Sequence, residues 1–402
     1  MSRRIREGEC RGYAKVFFEP LRVSFTPSPC PPRHTKHKMK ILICPDKFKG
    51  SLTATEVSDA IEEGIRIKFP DAVIIKCPMA DGGEGTTDIL TRAVDGKKVK
   101  VKVHGPLFEE VEAEYGVDRS GKVAFVEMAS ASGLALIPKE KRDPLETTTL
   151  GTGELIAHAV QHGADKIILG IGGSATNDAG IGMASALGYK FFSGEELLQP
   201  VGKNLIRLDR IESPKTKLNV TALCDVNNPL FGPNGAAYVY GPQKGATPEA
   251  VELLDEGLRN FERVVQRTFG KSADFAGAGA GGGIAGGASI FFNLIVTPGV
   301  TQVINSYGLR EKIESADLII TGEGKIDRQT LAGKVVGSVA SQASASGKKV
   351  IAVCGVCELR KNEMEKIGIS GVISLVDIFT GPDEAMSNAR QIIARKLATF
   401  TP

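Results

Sequence analysis

The chain has 402 residues, 42% apolar and 24% charged, with 47 glycines, seven cysteines and a formal net charge of +3. This is enough apolar material for a packed core and excludes a disordered chain; no run approaches the roughly 20 apolar residues of a membrane helix, and an odd number of irregularly spaced cysteines argues against a disulfide scaffold and for a reducing, cytoplasmic compartment. Residues 1–38 carry nine Lys or Arg against three acids, which leaves 41 basic and 44 acidic residues beyond them, and that net charge of −3 gives no support to binding of nucleic acid or a membrane surface.

Residues 1–38 contain the proline cluster Pro27-Ser28-Pro29-Cys30-Pro31-Pro32, lack an apolar signal core and show no periodicity. They are read as a disordered N-terminal extension. From Met39 strand and helix alternate. The run 41–44 reads as a strand ending in Pro45-Asp46, and Thr53 with Glu56 three residues on forms a capping box for a helix to about Phe69. A second strand at 72–77 and a second helix at 85–94 follow, and two such units in succession favour a parallel, doubly wound sheet. The pattern then changes to alternating or β-branched runs at 97–103, 110–117 and 122–128, which read as antiparallel strands.

Further along come a helix at 152–162, a strand at 166–169 and a glycine-rich turn into another helix. The runs 220–223 and 237–240 read as strands and 248–269 as a helix. The segment 277–287 carries seven glycines in eleven positions. Strands at 318–320, 350–353 and 372–375 and a helix at 385–397 complete the chain. The architecture expected is α/β: one parallel-sheet domain built from residues 39–96 and 296–402, with a second α/β domain of mixed sheet, residues 97–295, inserted between. Clefts between such domains are preferred ligand sites.

Four glycine- and acid-rich segments sit where strands end, the place at which open α/β sheets bind ligands. They are Asp46-Lys47-Phe48-Lys49-Gly50-Ser51-Leu52, Ala80-Asp81-Gly82-Gly83-Glu84-Gly85-Thr86, Gly170-Ile171-Gly172-Gly173-Ser174-Ala175-Thr176-Asn177-Asp178-Ala179-Gly180, and Thr321-Gly322-Glu323-Gly324-Lys325-Ile326-Asp327, which leads to Gly333-Lys334. Glycine lets main-chain N–H groups turn toward an anion, helix N-termini and lysines add positive charge, and carboxylate and Asn oxygens are the hard donors Mg²⁺ takes beside nucleotide phosphates. The set points to an enzyme that handles a phosphorylated nucleotide. No GxxxxGK[ST] string occurs, so this is not a P-loop ATPase, and the protein-kinase signatures are also absent. Gly170, Gly172 and Ala175 match G-x-G-x-x-A, which leaves an NAD(P)-dependent oxidoreductase with Glu195 as the ribose acid as one alternative. A non-catalytic binding protein for a small phosphorylated anion is the other.

Together the four segments resemble the type-1 glycerate kinase family, over a match that runs from Met39 nearly to the C-terminus. The resemblance implies two α/β domains, the discontinuous one Rossmann-like, with an active site in the cleft between them. It also implies transfer of the γ-phosphoryl group of ATP, with Mg²⁺, to D-glycerate; the product expected is 2-phosphoglycerate, with 3-phosphoglycerate as the alternative. The partners expected are D-glycerate and, in a homodimer, a second copy of the chain.

Phosphoryl transfer is largely positioning and charge neutralisation, so several cations and acceptors are sought. Lys47 and Lys49 are candidates to neutralise carboxylate or phosphate charge, with Asp46 orienting Lys47 and Ser51 on the substrate. Asp81 and Asp178 contend as general base; Asp178 and Glu84 are candidate metal ligands. Asn177 and Asp225 are assigned to the substrate, with Asn227 a weaker candidate. Gly172, Gly173, Ser174, Gly322, Glu323, Gly324, Asp327 and Lys334 are assigned to the nucleotide. Each has an ordinary alternative: a salt-bridged loop for the lysines, helix N-capping for Asn177, Asp178, Asp81 and Glu84, a salt-bridged helix entrance for Glu323, Asp327 and Lys334, and a turn for Asp225. The i, i+4 pair His158 and His162 and the Cys354-Gly355-Val356-Cys357 string are read as structural.

Overall fold

The structure, a computed structural model, describes residues 38–400 apart from 216–217, 332–333 and 377–380. The extension expected over 1–38 therefore lies, Lys38 excepted, outside the described residues.

The aliphatic run of strand Lys40–Pro45 is buried from Ile41 onward, as a strand covered on both faces must be. It pairs in parallel with Val73–Lys76 on one side and with Leu318–Ile326 on the other, and the sheet continues through Val350–Cys357 to Ile369–Ser374, parallel throughout. Alternate side chains serve opposite faces. Ile41 and Ile43 pack with Ile61, Ile65, Ile392 and Leu397 of helices Ala54–Lys68 and Ala389–Ala398, whereas Leu42 and Cys44 pack with Val303, Ile313 and Val339 of helices Gly299–Tyr307, Leu309–Ser315 and Val335–Ala345. Numbered along the chain, the five strands lie in the order 2-1-3-4-5. In that doubly wound order the direction of winding reverses between the first and third strands, so the ligand crevice is expected at the carboxyl ends of Lys40–Pro45 and Leu318–Ile326.

The capping box at Thr53 forms: the Glu56 N–H donates to Thr53 Oγ1 at 3.2 Å, and the Thr53 N–H donates to Glu56 Oε2 at 2.8 Å. A cap of this kind contributes about 1 kcal/mol and sets where the first helix leaves the loop Asp46 to Leu52.

The second sheet runs Asn293–Thr297, Asn219–Leu223, Lys166–Gly170, Val123–Glu127, Glu110–Val117, Lys97–His104, the first four parallel and the last two antiparallel. Its residues Phe125, Ile168 and Leu223 share a core with Ile89 and Leu90 of helix Thr86–Ala93 and with Val300 and Val303. The two sheets are thereby joined through one apolar layer. A small antiparallel sheet, Glu196–Leu197, Lys190–Ser193 and Arg210–Glu212, lies apart from both.

Several elements differ from expectation. Residues 237–240 belong to helix Ala236–Tyr240, not a strand; Tyr238 and Val239 are exposed, and β-branched and aromatic content favours a strand only where a neighbouring strand is available. The strand expected at 318–320 continues to Ile326, so Gly322, Glu323 and Gly324 are strand residues rather than loop. Gly322 permits this, because a Cβ there would stand 2.4 Å from the Val353 carbonyl oxygen of the adjacent strand. The boundary expected between residues 295 and 296 falls inside Asn293–Thr297, which pairs with the second sheet. The last helix is two, Pro382–Ser387 and Ala389–Ala398. The dense glycine run forms helix Ala280–Phe291 with left-handed residues at Gly281, Gly282 and Gly283; at Gly282 φ is +78° and a Cβ would meet the Thr176 carbonyl oxygen at 1.9 Å. Bare backbone is needed there for contact with the Gly170–Gly180 loop.

Candidate functional site

At the crevice dictated by the strand order lies a cavity of about 410 Å³. Its polar side is supplied by Asp46, Lys47, Lys49, Glu323 and Lys334, and its apolar side by Val356, Leu375, Val376 and Met386. A second cavity, about 460 Å³, is lined from both sheets: by Gly172, Gly173 and Ser174 after strand Lys166–Gly170, by Asp225 after strand Asn219–Leu223, and by Asp81 and Lys49 from the first sheet. Lys49 and Asp81 line both. A larger hollow of about 690 Å³ against the Asp46 loop shares Asp46, Lys47, Lys49 and Ser51 with the first cavity and adds Glu84, but includes neither Asp81 nor Glu323.

Asp46 is held by the register of the sheet, its N–H donating to the Gly322 carbonyl at 2.7 Å while its own Oδ1 accepts from the Lys47 N–H at 2.7 Å. Only 8% of it is exposed. Burial, then the neighbouring Asp81 charge, push its carboxyl from 3.8 to about 7, against the pull of Lys47. Lys47 Nζ donates to the Glu84 carbonyl at 2.7 Å. A Cβ on Gly83 would stand 3.2 Å from Asp81 Oδ1 and 3.6 Å from Lys47 Nζ, so this glycine lets the two charged groups converge. Ser51 spends its hydroxyl on the Met386 carbonyl at 2.6 Å, which ties the loop to the C-terminal helices.

Glu323 is buried and accepts from Thr330 Oγ1 at 2.6 Å; burial raises its pKa, opposed by Thr330 and Lys334. Partial burial and the Asp81 charge raise Asp225 to about 6, while its Oδ1 accepts from the Gly299 N–H at 3.3 Å. Asp81 thus lies within the field of Asp46, Asp225 and Glu323. This surplus of hard, negatively charged oxygens fits a divalent cation brought in with phosphates. Among the described residues no group of three His, Cys, Asp or Glu forms a protein cage for a metal.

The raised Asp46 carboxyl has a sign that can be tested. Its folded pKa exceeds the unfolded one, so the stability it contributes is complete below pH 3.8 and is lost as the pH rises through about 7. The ligand-free protein is expected to lose thermal stability over that window, and Asp46→Asn to flatten the loss. Thermal denaturation at constant ionic strength measures both, and an unaltered pH slope in the variant counts against the assignment.

Asp178 and Asn177 do not join the cavities. Both are fully buried, and Asp178 accepts from the Thr149 N–H at 2.9 Å, Thr149 Oγ1 at 2.8 Å, the Gly180 N–H at 3.0 Å and the Gly182 N–H at 3.3 Å. Four donors occupy a carboxylate, so the group that reads as base or metal ligand is an internal anchor for two helix starts. The side-chain amide of Asn177 has no partner among the described residues. Glu84 is exposed on the larger hollow, away from Asp81, and Gly322 lies within the sheet. Gly324, Asp327 and Lys334 do line the first cavity. Asn227 is exposed and lines neither cavity.

The Gly170 turn is not built as a dinucleotide fingerprint. Helix Ile181–Ala186 is separated from the strand end by ten residues rather than following directly after the glycines, and Glu195 sits in the small hairpin. His158 and His162 stack at 4.1 Å, with Tyr115 Oη 3.0 Å from His158 Nδ1, and Cys354 and Cys357 lie in strand Val350–Cys357.

Two residues escaped the sequence. Glu127, at a strand end, accepts from the Gly85 N–H at 3.3 Å and the Thr87 N–H at 2.5 Å and so caps helix Thr86–Ala93. Lys244 is 2% exposed yet lines the second cavity, donating to Ser174 Oγ at 2.7 Å and the Thr176 carbonyl at 2.6 Å. Its only signal in the sequence is the tight turn Gly241-Pro242-Gln243-Lys244-Gly245, which says nothing of burial.

The family model described as "Glycerate kinase family" matches residues 41–401. A glycerate kinase of Halalkalibacterium halodurans is 44% identical over 373 residues, covering 90% of this chain and 98% of that protein. A glycerate 2-kinase of Escherichia coli is 42% identical over 364 residues, covering 89% and 96%. A crystal structure from Salmonella typhimurium LT2, assigned to glycerate kinase 2, superposes with a TM-score of 0.79 at 41% identity and covers 90% of this chain and 96% of that one.

Proposed function

The chain belongs to the glycerate kinase family and is an enzyme of that activity, and from this premise we propose that it transfers the γ-phosphoryl group of ATP to a hydroxyl of D-glycerate, releasing ADP and 2-phosphoglycerate. The observation that carries the reading is that Lys49 and Asp81 line both cavities. Two substrates held in adjoining chambers with a cation and a carboxylate at the boundary are placed for in-line transfer, and such positioning supplies roughly 7–11 kcal/mol of the barrier.

The nucleotide is assigned to the crevice cavity, its base against Val356, Leu375 and Met386 and its phosphates toward Lys47, Lys49 and Lys334. Glycerate is assigned to the second cavity, which moves Gly172, Gly173 and Ser174 from the nucleotide to the acceptor. Asp81 is the carboxylate placed to take the proton of the attacking hydroxyl; Asp178, buried behind the Gly170–Gly180 loop, is not. Glu323 would help to hold a Mg²⁺ ion that enters with the phosphates, and that ion would supply charge neutralisation. The 2-position is supported by the relative named as a glycerate 2-kinase. A cytoplasmic location suits the free cysteines Cys44, Cys77, Cys224, Cys354 and Cys357. No described helix is long and apolar enough to cross a membrane.

The test is ADP release that requires D-glycerate, followed in a coupled assay, with phosphorus NMR to place the phosphate on the product. No glycerate-dependent turnover removes the reading. A product phosphorylated at the 3-position removes only the regiochemistry.

A further inference from the structure

Lys244 has no part in the transfer as described, although its placement is costly. It ends the 3-10 turn Pro242–Lys244 and is followed by Gly245, whose φ of +98° and whose Cβ position 2.2 Å from the Arg142 carbonyl oxygen admit only glycine. The turn drives a long cationic side chain into the interior. Two of the three ammonium protons are taken by Ser174 Oγ and the Thr176 carbonyl, and neither partner is an anion. The charge of Asp178 offsets part of the burial, but its oxygens accept from Thr149, Gly180 and Gly182 and not from the Lys244 ammonium. Burial accordingly draws the ammonium down to about 7. A buried cation without a hydrogen-bonded anion is expensive to keep, and an arriving anion would relieve it.

The second cavity otherwise presents Asp81 and Asp225, which repel a carboxylate, and Lys49, which is shared with the nucleotide side. Lys244 lines the second cavity alone. We propose that Lys244, set in place by Ser174, is the cation that receives the carboxylate of the acceptor, and so selects a hydroxy acid over a neutral polyol; the inference rests on the assignment of glycerate to that cavity. A substrate lacking the carboxylate leaves the ammonium buried and unpaired, the situation in which a site discriminates most strongly.

In Lys244→Met the KM for D-glycerate is expected to rise about 30-fold or more while the KM for ATP stays within about twofold, and the preference for D-glycerate over its neutral amide is expected to collapse. A KM for D-glycerate that hardly moves in the folded variant, or a rise confined to the KM for ATP, overturns the proposal. Thermal denaturation of the variant establishes that it folds. Where it does not fold, the unsubstituted protein still decides: it is expected to use the amide of D-glycerate with a kcat/KM at least about 100-fold lower than the acid, and equal use of the two overturns the proposal. Failure of the unsubstituted protein to phosphorylate D-glycerate at all is a different result, which removes the assigned reaction and this role with it.

Discussion

Substituting Lys47 by alanine is expected to lower kcat/KM for D-glycerate by about 10²- to 10³-fold, the effect of removing one preorganised charge donor from a transferring group. The crevice is rich in acids, with Asp46, Asp81 and Glu323 near one another, and under the proposed function it admits a polyanion. Lys47 is proposed to meet that polyanion from within the loop, where its hydrogen bond to the Glu84 carbonyl fixes Nζ and the bare backbone of Gly83 leaves room between it and Asp81. Its loss removes an attraction for phosphate and also leaves the carboxylates uncompensated. Lys49, exposed at the tip of the same loop, keeps more freedom and should cost less when replaced. Lys47→Arg is not expected to restore the rate, because a planar guanidinium cannot occupy the place of a compact ammonium wedged against backbone. Steady-state kinetics beside thermal denaturation is the measurement: a Lys47→Ala protein of unchanged stability whose kcat/KM stays within threefold of the original removes Lys47 from the transfer.

The placement of Asp46, Lys47 and Asp81 at strand ends was legible in the sequence, because an aliphatic run that stops at a charged, glycine-containing loop marks the carboxyl edge of a parallel sheet and little else. The same logic read the Thr53 cap and the antiparallel hairpin of the second sheet. It failed where pairing overrides propensity. Nothing in Gly322-Glu323-Gly324-Lys325 favours a strand; what holds it extended is Val350–Cys357, which pairs with it as far as Ile326 after Lys40–Pro45 has ended opposite Gly322, and that requires knowing which strands are neighbours. Burial was equally invisible. An Asn-Asp pair at a helix start has the same appearance whether it faces a ligand or, like Asn177 and Asp178, the interior, and a lysine between glycines gives no hint that it is enclosed.

That difference gives Asp178 the largest expected effect on stability. Asp178→Ala leaves the Thr149, Gly180 and Gly182 N–H groups buried without an acceptor, each unsatisfied group costing about 1–3 kcal/mol before any relaxation. It also removes the nearby negative charge from the enclosed Lys244 ammonium. A loss of about 3–5 kcal/mol is expected, seen in a chain of this length as a fall in Tm of about 4–6 °C. Asn at the position does not repair it, since one carboxylate oxygen is exchanged for an NH₂ that faces donors. The catalytic alternative makes the opposite forecast. A general base can be removed with little change in Tm and a large loss of kcat, whereas an anchor lowers Tm first and disturbs kinetics through the shape of the Gly170–Gly180 loop, with the KM for D-glycerate affected more than that for ATP because this loop lines the second cavity alone. An Asp178→Ala enzyme with its original Tm and a kcat lowered several hundredfold would place the carboxylate in the chemistry and reverse the account given for this loop.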